Sequence, residues 1–257
     1  MTALAIDFCV TSDRGLVRKD NQDSHFEDSA RGVFCVADGM GGGADGGLAS
    51  AWVCDEVRRK TANLAQSVSP EERRRAIEEG VAAAHRRIAA HAQRSGYGQM
   101  ASTAVVLALD AVRRFVDVFN VGDSRAYRFH RGEIEKVTRD HTMGAELEAA
   151  LGGDASRGLA VRSNPIAHVL TRAVGMSGGL DGEWRRIELS EGDVFLVCSD
   201  GVNDMLDDKD LTEILSSAKD PEAAIRRLVR GVTDAGAADN YTMIVLKARG
   251  DDGRKPS

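Results

Sequence analysis

The chain has 257 residues, of which 34 are basic and 40 acidic, so its formal net charge at pH 7 is −6. A chain of this length can bury a substantial single core. The acidic balance argues against broad binding to nucleic acid or to anionic membranes, because both favour basic surfaces. Short basic runs do occur, but acidic residues are interleaved with them, which favours solvated helix faces.

The four cysteines are scattered, and no two of them form a Cys-x-x-Cys pair. This distribution favours free thiols in a reducing compartment over a disulfide framework or a zinc knuckle. The N-terminus has no cationic region before its apolar residues, and the longest uncharged stretch, residues 95–109, is too short and too polar to span a bilayer. We therefore expect a soluble, cytoplasmic monomer that binds neither nucleic acid nor membrane.

In chain order, the apolar pattern predicts three strands, two helices, four strands, a Gly-rich stretch, two strands, two helices and a final strand. The strands are placed at residues 4–10, 24–27, 33–37, 102–109, 114–121, 125–129, 133–137, 184–189, 193–198 and 241–248. The first two helices are placed at about 48–64 and from a capping box at Ser69 to about Arg94. Two more follow, one with apolar residues between 211 and 218, and one that begins at Asp220-Pro221 with apolar residues between 225 and 232. The Gly-rich stretch, residues 144–168, carries a short helical piece at 145–151.

Blocks of strands around two separated pairs of helices do not alternate as βαβ units would. The pattern therefore predicts antiparallel sheets with helices packed outside them, an α+β layered architecture. Because the closing strand comes from the far end of the chain, we expect one domain over residues 1–248, followed by a polar tail over 249–257.

Two acids occupy the same unusual setting. Asp38 and Asp200 each close an apolar run typical of a buried strand, and each is followed at once by glycine. A carboxylate there is costly to keep ionised unless a cation or a donor compensates it. Asp239 stands just ahead of a third apolar run. One Asp-Gly alone is more often a turn, but the three acids together predict a site for Mg²⁺ or Mn²⁺, which prefer hard oxygen ligands.

Three further positions are candidates with a competing structural explanation. The glycines after Asp38 let the backbone approach a ligand, so the Gly39 carbonyl can join a metal shell, unless they serve only as a flexible connector. Arg18 lies in a polar loop and could form a bidentate pair of hydrogen bonds with a phosphate, although a loop arginine is more often solvated. Asp123 stands at a strand–turn–strand junction, where a ligand and a structural turn are equally favoured.

Taken together, these segments resemble the metal-dependent Ser/Thr protein phosphatases of type 2C, the PPM family, in its bacterial branch. The matching segments, in the family's order, are SDRGLVRKDNQD (12–23), ADGMGG (37–42), GDSRAY (122–127), DHT (140–142), LTRAVG (170–175), CSDGV (198–202) and DNYT (239–242). Any one of them is short, but the ordered set is highly specific and spans the chain from about residue 4 to 247.

The resemblance implies an αββα sandwich, in which two antiparallel sheets are flanked by helix pairs. It also implies two Mn²⁺ or Mg²⁺ ions at one end of the sandwich, with a third as an option. By motif match, Asp38 bridges the two ions and the Gly39 carbonyl binds the first, while Asp200 and Asp239 hold the second.

The remaining candidates also acquire roles from this resemblance. Asp23 supports the site directly or through water, Asp123 matches the acid that helps hold a third, weaker ion, and Arg18 matches the arginine that grips the substrate phosphate. The implied activity is hydrolysis of phosphoserine and phosphothreonine in proteins by direct attack of a water shared between the ions. The implied partners are phosphorylated proteins, including a bacterial Ser/Thr kinase that the enzyme opposes.

The sequence departs from the family in the loop after Asp38. Many members carry a histidine there, proposed to protonate the leaving group, whereas residues 40–45 here read MGGGAD. The general acid stays unassigned between a metal-bound water and His141, if the fold brings His141 near. Residues 144–168 fall where the family has a variable flap, which either takes part in substrate choice or is a solvent loop.

Two functions of other classes stay open. One is a non-catalytic phosphoprotein-binding or scaffold domain that keeps the fold without the reaction. The other is a metal-dependent phosphodiesterase or nuclease, against which the acidic balance and the absence of a basic, aromatic-rich segment argue.

Overall fold

The computed structural model describes residues 3–42, 44–65, 68–95, 100–151 and 164–250. Its strands are β1 (Leu4–Asp13), β2 (Asp23–Asp28), β3 (Val33–Met40), β4 (Ala101–Ser102), β5 (Ala104–Asp110), β6 (Phe115–Val121), β7 (Arg125–His130), β8 (Glu133–Lys136), β9 (Glu183–Glu188), β10 (Val194–Cys198) and β11 (Tyr241–Gly250). Its α-helices are α1 (Asp45–Thr61), α2 (Pro70–Ser95), α3 (Met143–Ala150), α4 (Asp200–Asn203), α5 (Asp208–Ser217) and α6 (Pro221–Asp234), and a short 3-10 helix spans Pro165–His168.

The strands form two sheets. The first has the order β1-β11-β10-β7-β8, and the second has the order β2-β3-β5-β6-β9, with β4 paired to β3. Strand pairing is antiparallel throughout both sheets of the described chain. The predicted α+β architecture with antiparallel sheets is therefore confirmed.

The second sheet buries both of its faces because the side chains of its central strands alternate in direction. In β3, Phe34 and Val36 lie in the core between the two sheets. Val33, Cys35 and Ala37 point the other way, into a core shared with α1 and α2. All five are at most 1% exposed. This is why the strand reads as a continuous apolar run rather than as an alternating one.

The first sheet is arranged in the same way. Phe195 and Val197 of β10 face the inter-sheet core. Leu196 and Cys198 face a third core, which also contains Leu228 of α6 and residues of α5. The layers therefore follow the order helix, sheet, sheet, helix, as the αββα expectation requires.

The second helix begins as predicted. Ser69 Oγ accepts the Glu72 N–H at 3.2 Å, and the Ser69 N–H donates to Glu72 Oε2 at 3.2 Å. These reciprocal bonds form the capping box and satisfy two backbone donors that the first helical turn would leave free. The face predicted to be apolar is fully buried, with no exposure at Ile77, Val81, Ala84 and Ile88.

β1 and β11 extend further than predicted. β1 continues beyond residue 10 because Ser12 and Asp13 pair with β11, at Thr242 and Tyr241. At the other end of this pairing, Gly250 is the partner of Leu4, so residues 249 and 250, assigned to the polar tail, belong to the sheet. The added residues are polar or glycine, so the apolar pattern does not mark them as strand, and only the pairing of β1 with β11 shows these extensions.

The first helix also starts earlier than predicted, at Asp45 rather than near residue 48. Two glycines at its start gave no helix signal, since glycine is a poor helix former. The structure shows the reason for one of them: a Cβ on Gly46 would lie 2.6 Å from the Gly39 carbonyl oxygen. The helix can therefore begin directly beside the end of β3 only if this position is glycine.

The helical piece predicted at 145–151 is α3, displaced by one or two residues. The central part of the Gly-rich stretch, residues 152–163, lies outside the described residues. Within the described ranges, no helix combines the length and apolar character needed to cross a bilayer.

Substitution in the inter-sheet core tests its contribution to stability. Val116 is 0% exposed in that core, whereas Val112, in the preceding turn, is 71% exposed. Val116→Ala should lower the free energy of unfolding by about 2 kcal/mol, because it removes two buried methyl groups and leaves a cavity. The same change at Val112 should alter it by at most about 0.5 kcal/mol. Urea denaturation measures both, and equal effects would contradict the assigned core.

Candidate active site

Two carboxylates face each other at one end of the second sheet. Asp23 is the first residue of β2, and its partner across the strand pair is Asp38 of β3. The backbone of Asp38 is held by Thr103, whose Oγ1 accepts the Asp38 N–H at 2.9 Å and whose N–H donates to the Asp38 carbonyl at 2.8 Å. Paired residues on one face of a hairpin have neighbouring side chains, so the two acids lie side by side.

A serine of the first sheet reaches across to this pair. Ser199, directly after β10, donates its hydroxyl proton to Asp23 Oδ2 at 2.7 Å. The Ser199 Oγ in turn accepts the Thr242 N–H of β11 at 2.9 Å. Ser199 is completely buried, and it therefore ties the ends of three strands from both sheets together. Sequence reasoning did not single it out, although it precedes Asp200 in the CSDGV segment.

Asp200 is the first residue of α4, a one-turn helix that the sequence analysis did not predict. A hydrogen bond joins its carboxylate to Asp38. The bond raises the pKa of Asp38 and opposes the rise at Asp200. Asp38 and Asp200, which each follow an apolar run, are therefore in direct contact although 162 positions separate them in the sequence.

Asp239 lies just ahead of β11 and is paired with Arg18. Arg18 Nη2 is 2.5 Å from Asp239 Oδ2, and the two side chains are 54% and 35% exposed. Asp239 Oδ1 accepts the Asn240 N–H at 2.8 Å. Both residues are site candidates from the sequence, but they are 221 positions apart and no local pattern pairs them.

Asn240 organises the loop that carries Arg18. Its Nδ2 donates to the carbonyls of Arg14 and Asp20, each at 2.9 Å. Its Oδ1 accepts the Gln22 N–H at 2.9 Å. Asn240 is 6% exposed, so these bonds are sheltered from water. The amide side chain therefore clamps the loop at three points around Arg18, a role visible in the sequence only as an asparagine after Asp239.

Like charge and burial perturb the acids of this site. Burial, followed by the charges of Asp23 and Asp200, raises the pKa of Asp38 well above its ordinary value. Burial also raises the pKa of Asp23 to about 6, against the opposing hydrogen bonds from Ser199 and Thr242. Carboxylates that converge without a compensating cation are expected to take up a proton, which makes one of them neutral or is shared between two of them.

Asp123 belongs to the same electrostatic group. It lies in the turn between β6 and β7, and burial, then the charges of Asp200 and Asp140, raise its pKa to about 7. Asp200 therefore influences three other candidate acids, which come from three different segments of the chain. The structure brings together Asp23, Asp38, Asp123 and Asp200, and the charge of Asp239 also acts on Asp200.

The donor set fits a hard divalent cation. Two oxygens, Asp23 Oδ1 and Asp200 Oδ1, are buried and have no hydrogen-bond partner, which is costly unless something binds them. Carboxylate oxygens are the ligands that Mn²⁺ and Mg²⁺ prefer. In the described part of the chain, however, no three His, Cys, Asp or Glu side chains already form a closed metal cage. The acids converge, but Asp239 is engaged by Arg18.

Gly39 follows Asp38 at the predicted position beside this group. Its N–H donates to the Gln22 carbonyl at 3.1 Å, which holds the end of β3 against the loop before β2. An open cleft of about 650 Å³ adjoins the acids. Its lining includes Asp123, Arg125, Asp140, His168, Asp200 and Asp204.

His141 is not a member of the carboxylate group. Its Nδ1 accepts the Gly122 N–H at 3.2 Å, and its Nε2 lies 3.3 Å from Glu183 Oε1. Burial and then the charge of Arg172 lower its pKa, while Glu183 opposes the change. The condition under which His141 would serve as the general acid is therefore not supported by this geometry.

Proteins similar to this chain identify its family. Residues 12–237 match the family described as protein phosphatase 2C. The chain belongs to this family. The serine/threonine protein phosphatase PstP of Mycobacterium tuberculosis is 30% identical over 244 residues, which cover 94% of this chain and 45% of that protein. The resemblance drawn from the ordered motifs is confirmed.

Solved structures give the same result. PppA of Pseudomonas aeruginosa, described as a key regulatory component of the type VI secretion system (T6SS), is 33% identical with a TM-score of 0.85, covering 96% of this chain and 100% of that one. The catalytic domain of PstP in complex with two manganese ions is 26% identical with a TM-score of 0.80, again covering 96% and 100%. The chain is a metal-dependent Ser/Thr protein phosphatase, and its cofactor is Mn²⁺ or Mg²⁺.

The raised pKa of Asp123 predicts how stability depends on pH in the presence of a metal chelator. Because its folded pKa is about 7 against an ordinary 3.8, the folded state holds a proton that the unfolded state releases, so stability falls as pH rises through this window. Asp123→Asn removes this loss. In EDTA the variant should match the wild type below about pH 4 and exceed it by about 2 kcal/mol above about pH 7, after allowance for water screening of a half-buried carboxylate.

Urea denaturation at several pH values measures this difference in the free energy of unfolding. Asp208→Asn, at an exposed position of α5, is the control and should show no such pH-dependent gain. A constant difference between Asp123→Asn and the wild type across the range would contradict the assigned burial and charge coupling of Asp123.

Proposed function

We propose that Asp38, Asp200, Asp239 and the Gly39 carbonyl hold the two divalent ions of this phosphatase, with Asp38 between them. The observation that carries this assignment is the convergence of carboxylates from separate segments: Asp38 is paired with Asp23 across the strand pair and is hydrogen-bonded to Asp200. When bound, the ions supply an acidified water as the nucleophile and offset charge on the phosphoryl oxygens. The buried, unpartnered Asp200 Oδ1 supports the assignment.

Asp23 and Asp123 act around this centre in the proposal. Asp23 supports the ions directly or through water, and the Ser199 hydroxyl fixes its orientation. Asp123 helps to hold a third, weaker ion, because it is coupled to Asp200 and lines the adjoining cleft.

Arg18 binds the substrate phosphate. Its guanidinium is 54% exposed and lies 2.5 Å from Asp239, so a phosphate at Arg18 would sit beside the proposed ions. A guanidinium can donate two parallel hydrogen bonds to a phosphate, which both orients the ester and offsets its charge. The clamp formed by Asn240 limits the movement of this loop.

The reaction is direct hydrolysis, with no covalent phosphoenzyme. The only cysteine adjacent to the acids, among the described residues, is Cys198, and burial raises its pKa to about 12. It is therefore a thiol rather than a nucleophilic thiolate. His141 is buried, its Nδ1 accepts the Gly122 N–H, and its Nε2 faces Glu183. Water attacks phosphorus in line, the bond to the serine or threonine oxygen breaks, and the leaving oxygen takes a proton from an acid that stays unassigned.

The substrates in this proposal are phosphoserine and phosphothreonine in proteins, and the enzyme opposes a bacterial Ser/Thr kinase. Residues 144–168 take part in substrate choice, because Gly144 and His168, at the two described ends of this stretch, line the cleft. The cleft also contains more acidic than basic side chains, which is compatible with a protein substrate rather than a nucleic acid.

We also propose that the chain acts as one catalytic domain up to the end of β11, at residue 250 rather than 248, and that the enzyme is a cytoplasmic monomer. The inter-sheet core supports the single domain, because it joins Leu4 and Ile244 from the two ends of the chain with Val118 from the middle. The four unpaired cysteines support a reducing compartment.

Loss of one carboxylate tests the proposed metal centre. Asp200→Asn should lower kcat for release of phosphate from a phosphothreonine peptide in saturating Mn²⁺ by at least about 100-fold, because a neutral amide is a much poorer ligand for a hard cation. Asp208→Asn, which removes a charge from the same cleft, should retain the wild-type rate. Equal rates for Asp200→Asn and the wild type would refute the assignment; an inactive wild type that binds Mn²⁺ would indicate a scaffold.

Substitution of Arg18 tests phosphate binding. Arg18→Ala should raise KM about 10-fold or more and lower kcat less, because the phosphate contact is made in the ground state as well as in the transition state. Arg18→Lys should recover part of the loss, since it keeps the charge but not the fork. The exposed neighbour Lys19→Ala is the control. Steady-state kinetics measure all three, and an unchanged KM for Arg18→Ala would sink the assigned role.

A further inference from the structure

His141 is almost fully buried, with 2% exposure, yet no step of the proposed reaction uses it. It follows β8 and precedes α3, at the centre of the DHT segment. Two of its hydrogen bonds go to one residue: its N–H donates to the Gly122 carbonyl at 3.0 Å, and its Nδ1 accepts the Gly122 N–H at 3.2 Å. A third bond fixes it from behind, because its carbonyl accepts the Thr171 N–H at 2.9 Å.

Gly122 connects His141 to the residues that hold Asp38. Its φ of +102° is accessible to glycine but strained for other residues, and a Cβ at this position would lie 2.7 Å from Thr103 Cγ2. Gly122 therefore packs closely on Thr103, which makes two hydrogen bonds with the Asp38 backbone. Thr103 Oγ1 is also 2.7 Å from Ser124 Oγ, so it touches the turn on the other side of Asp123.

The hydrogen bonds also fix the tautomer of the ring. The Gly122 N–H can donate only to a nitrogen with a free lone pair, so in neutral His141 the proton is on Nε2. Nε2 faces Glu183, whose carboxylate is held by Arg172 at 3.1 Å. The Nε2–Glu183 contact is 3.3 Å long without good hydrogen-bond direction, so the well-formed bonds of His141 are those to Gly122.

We propose that His141 is a positioning residue of the metal centre: it holds the Gly122–Ser124 turn that carries Asp123 and, through Thr103, the backbone of Asp38. This inference rests on the metal-binding assignment made above. The positioning role requires that the His141 Nδ1 accepts the Gly122 N–H, and it does not require that Nε2 donates a proton in the reaction. Outer residues that orient metal ligands commonly contribute about 10-fold to 100-fold in metal affinity or activity.

The first test uses the wild-type protein labelled with nitrogen-15 in histidine. A long-range proton–nitrogen spectrum at about pH 7 should show the His141 ring as the neutral tautomer protonated on Nε2. The signal is assigned from its loss in His141→Asn. A ring protonated on Nδ1 would overturn the proposal, since it could not accept from Gly122. This readout does not depend on turnover.

The second test compares two variants. Asn places an oxygen near the position of Nδ1, so His141→Asn should keep the bond to Gly122, whereas His141→Leu loses it. His141→Leu should weaken Mn²⁺ binding in calorimetry and kcat for p-nitrophenyl phosphate by about 10-fold, with KM little changed. His141→Asn should stay within about 3-fold of the wild type in both.

Thermal unfolding separates this role from simple packing, because both variants lose the buried ring. Similar melting temperatures with unequal Mn²⁺ affinities support the positioning role. Equal Mn²⁺ affinities in the two variants, whether reduced or at the wild-type level, overturn it. If His141→Leu does not fold, His141→Gln replaces it, since its acceptor lies near the position of Nε2 and cannot reach Gly122. A wild type without phosphatase activity would refute the proposed function, while the spectrum and the calorimetry would still decide the role of His141.

Discussion

Repulsion between converging carboxylates is the constraint on which the rest of this structure depends. Asp23, Asp38, Asp123 and Asp200 influence one another's ionisation at one end of the sandwich, and burial adds to the cost of their charges. Side chains that repel one another stay together only if rigid elements hold them. Here the cores of the two sheets, with strands buried on both faces, provide that rigidity, and a divalent cation turns the repulsion into binding energy.

The polar contacts around the acids have a common purpose. Ser199 joins Asp23 to β11, Thr103 holds the backbone of Asp38, and Asn240 clamps the loop of Arg18. Each is buried and neutral, so each can fix a charged neighbour without adding charge to the site. The reactive groups are thus held by hydrogen bonds to strand ends, which position a ligand more accurately than a free loop does.

Much of this arrangement could be predicted from the sequence. The apolar runs before Asp38 and Asp200 gave the strands and the site together, because a strand that must be buried on both faces leaves a clear signal. The capping box at Ser69 placed α2 to within one residue. The ordered motifs then fixed the family. These features are local, so adjacent residues suffice to recognise them.

What could not be predicted depends on partners distant in the chain. The pairing of Arg18 with Asp239, the extension of β1 along β11 and the bonds of His141 to Gly122 all arise from tertiary contacts. The early start of α1 depends on the approach of Gly46 to Gly39. In each case the residues have ordinary local preferences, and only the packed fold gives them a particular partner.

The position of β11 has a consequence for biosynthesis. It comes last among the described strands but lies inside the first sheet, between β1 and β10. While a ribosome is still translating the chain, β1 has no neighbour to pair with, and the aspartate that accepts Arg18 has not emerged. A nascent chain that stalls before residue 239 lacks both this aspartate and the strand that pairs with β1, so the proposed metal centre cannot form on it.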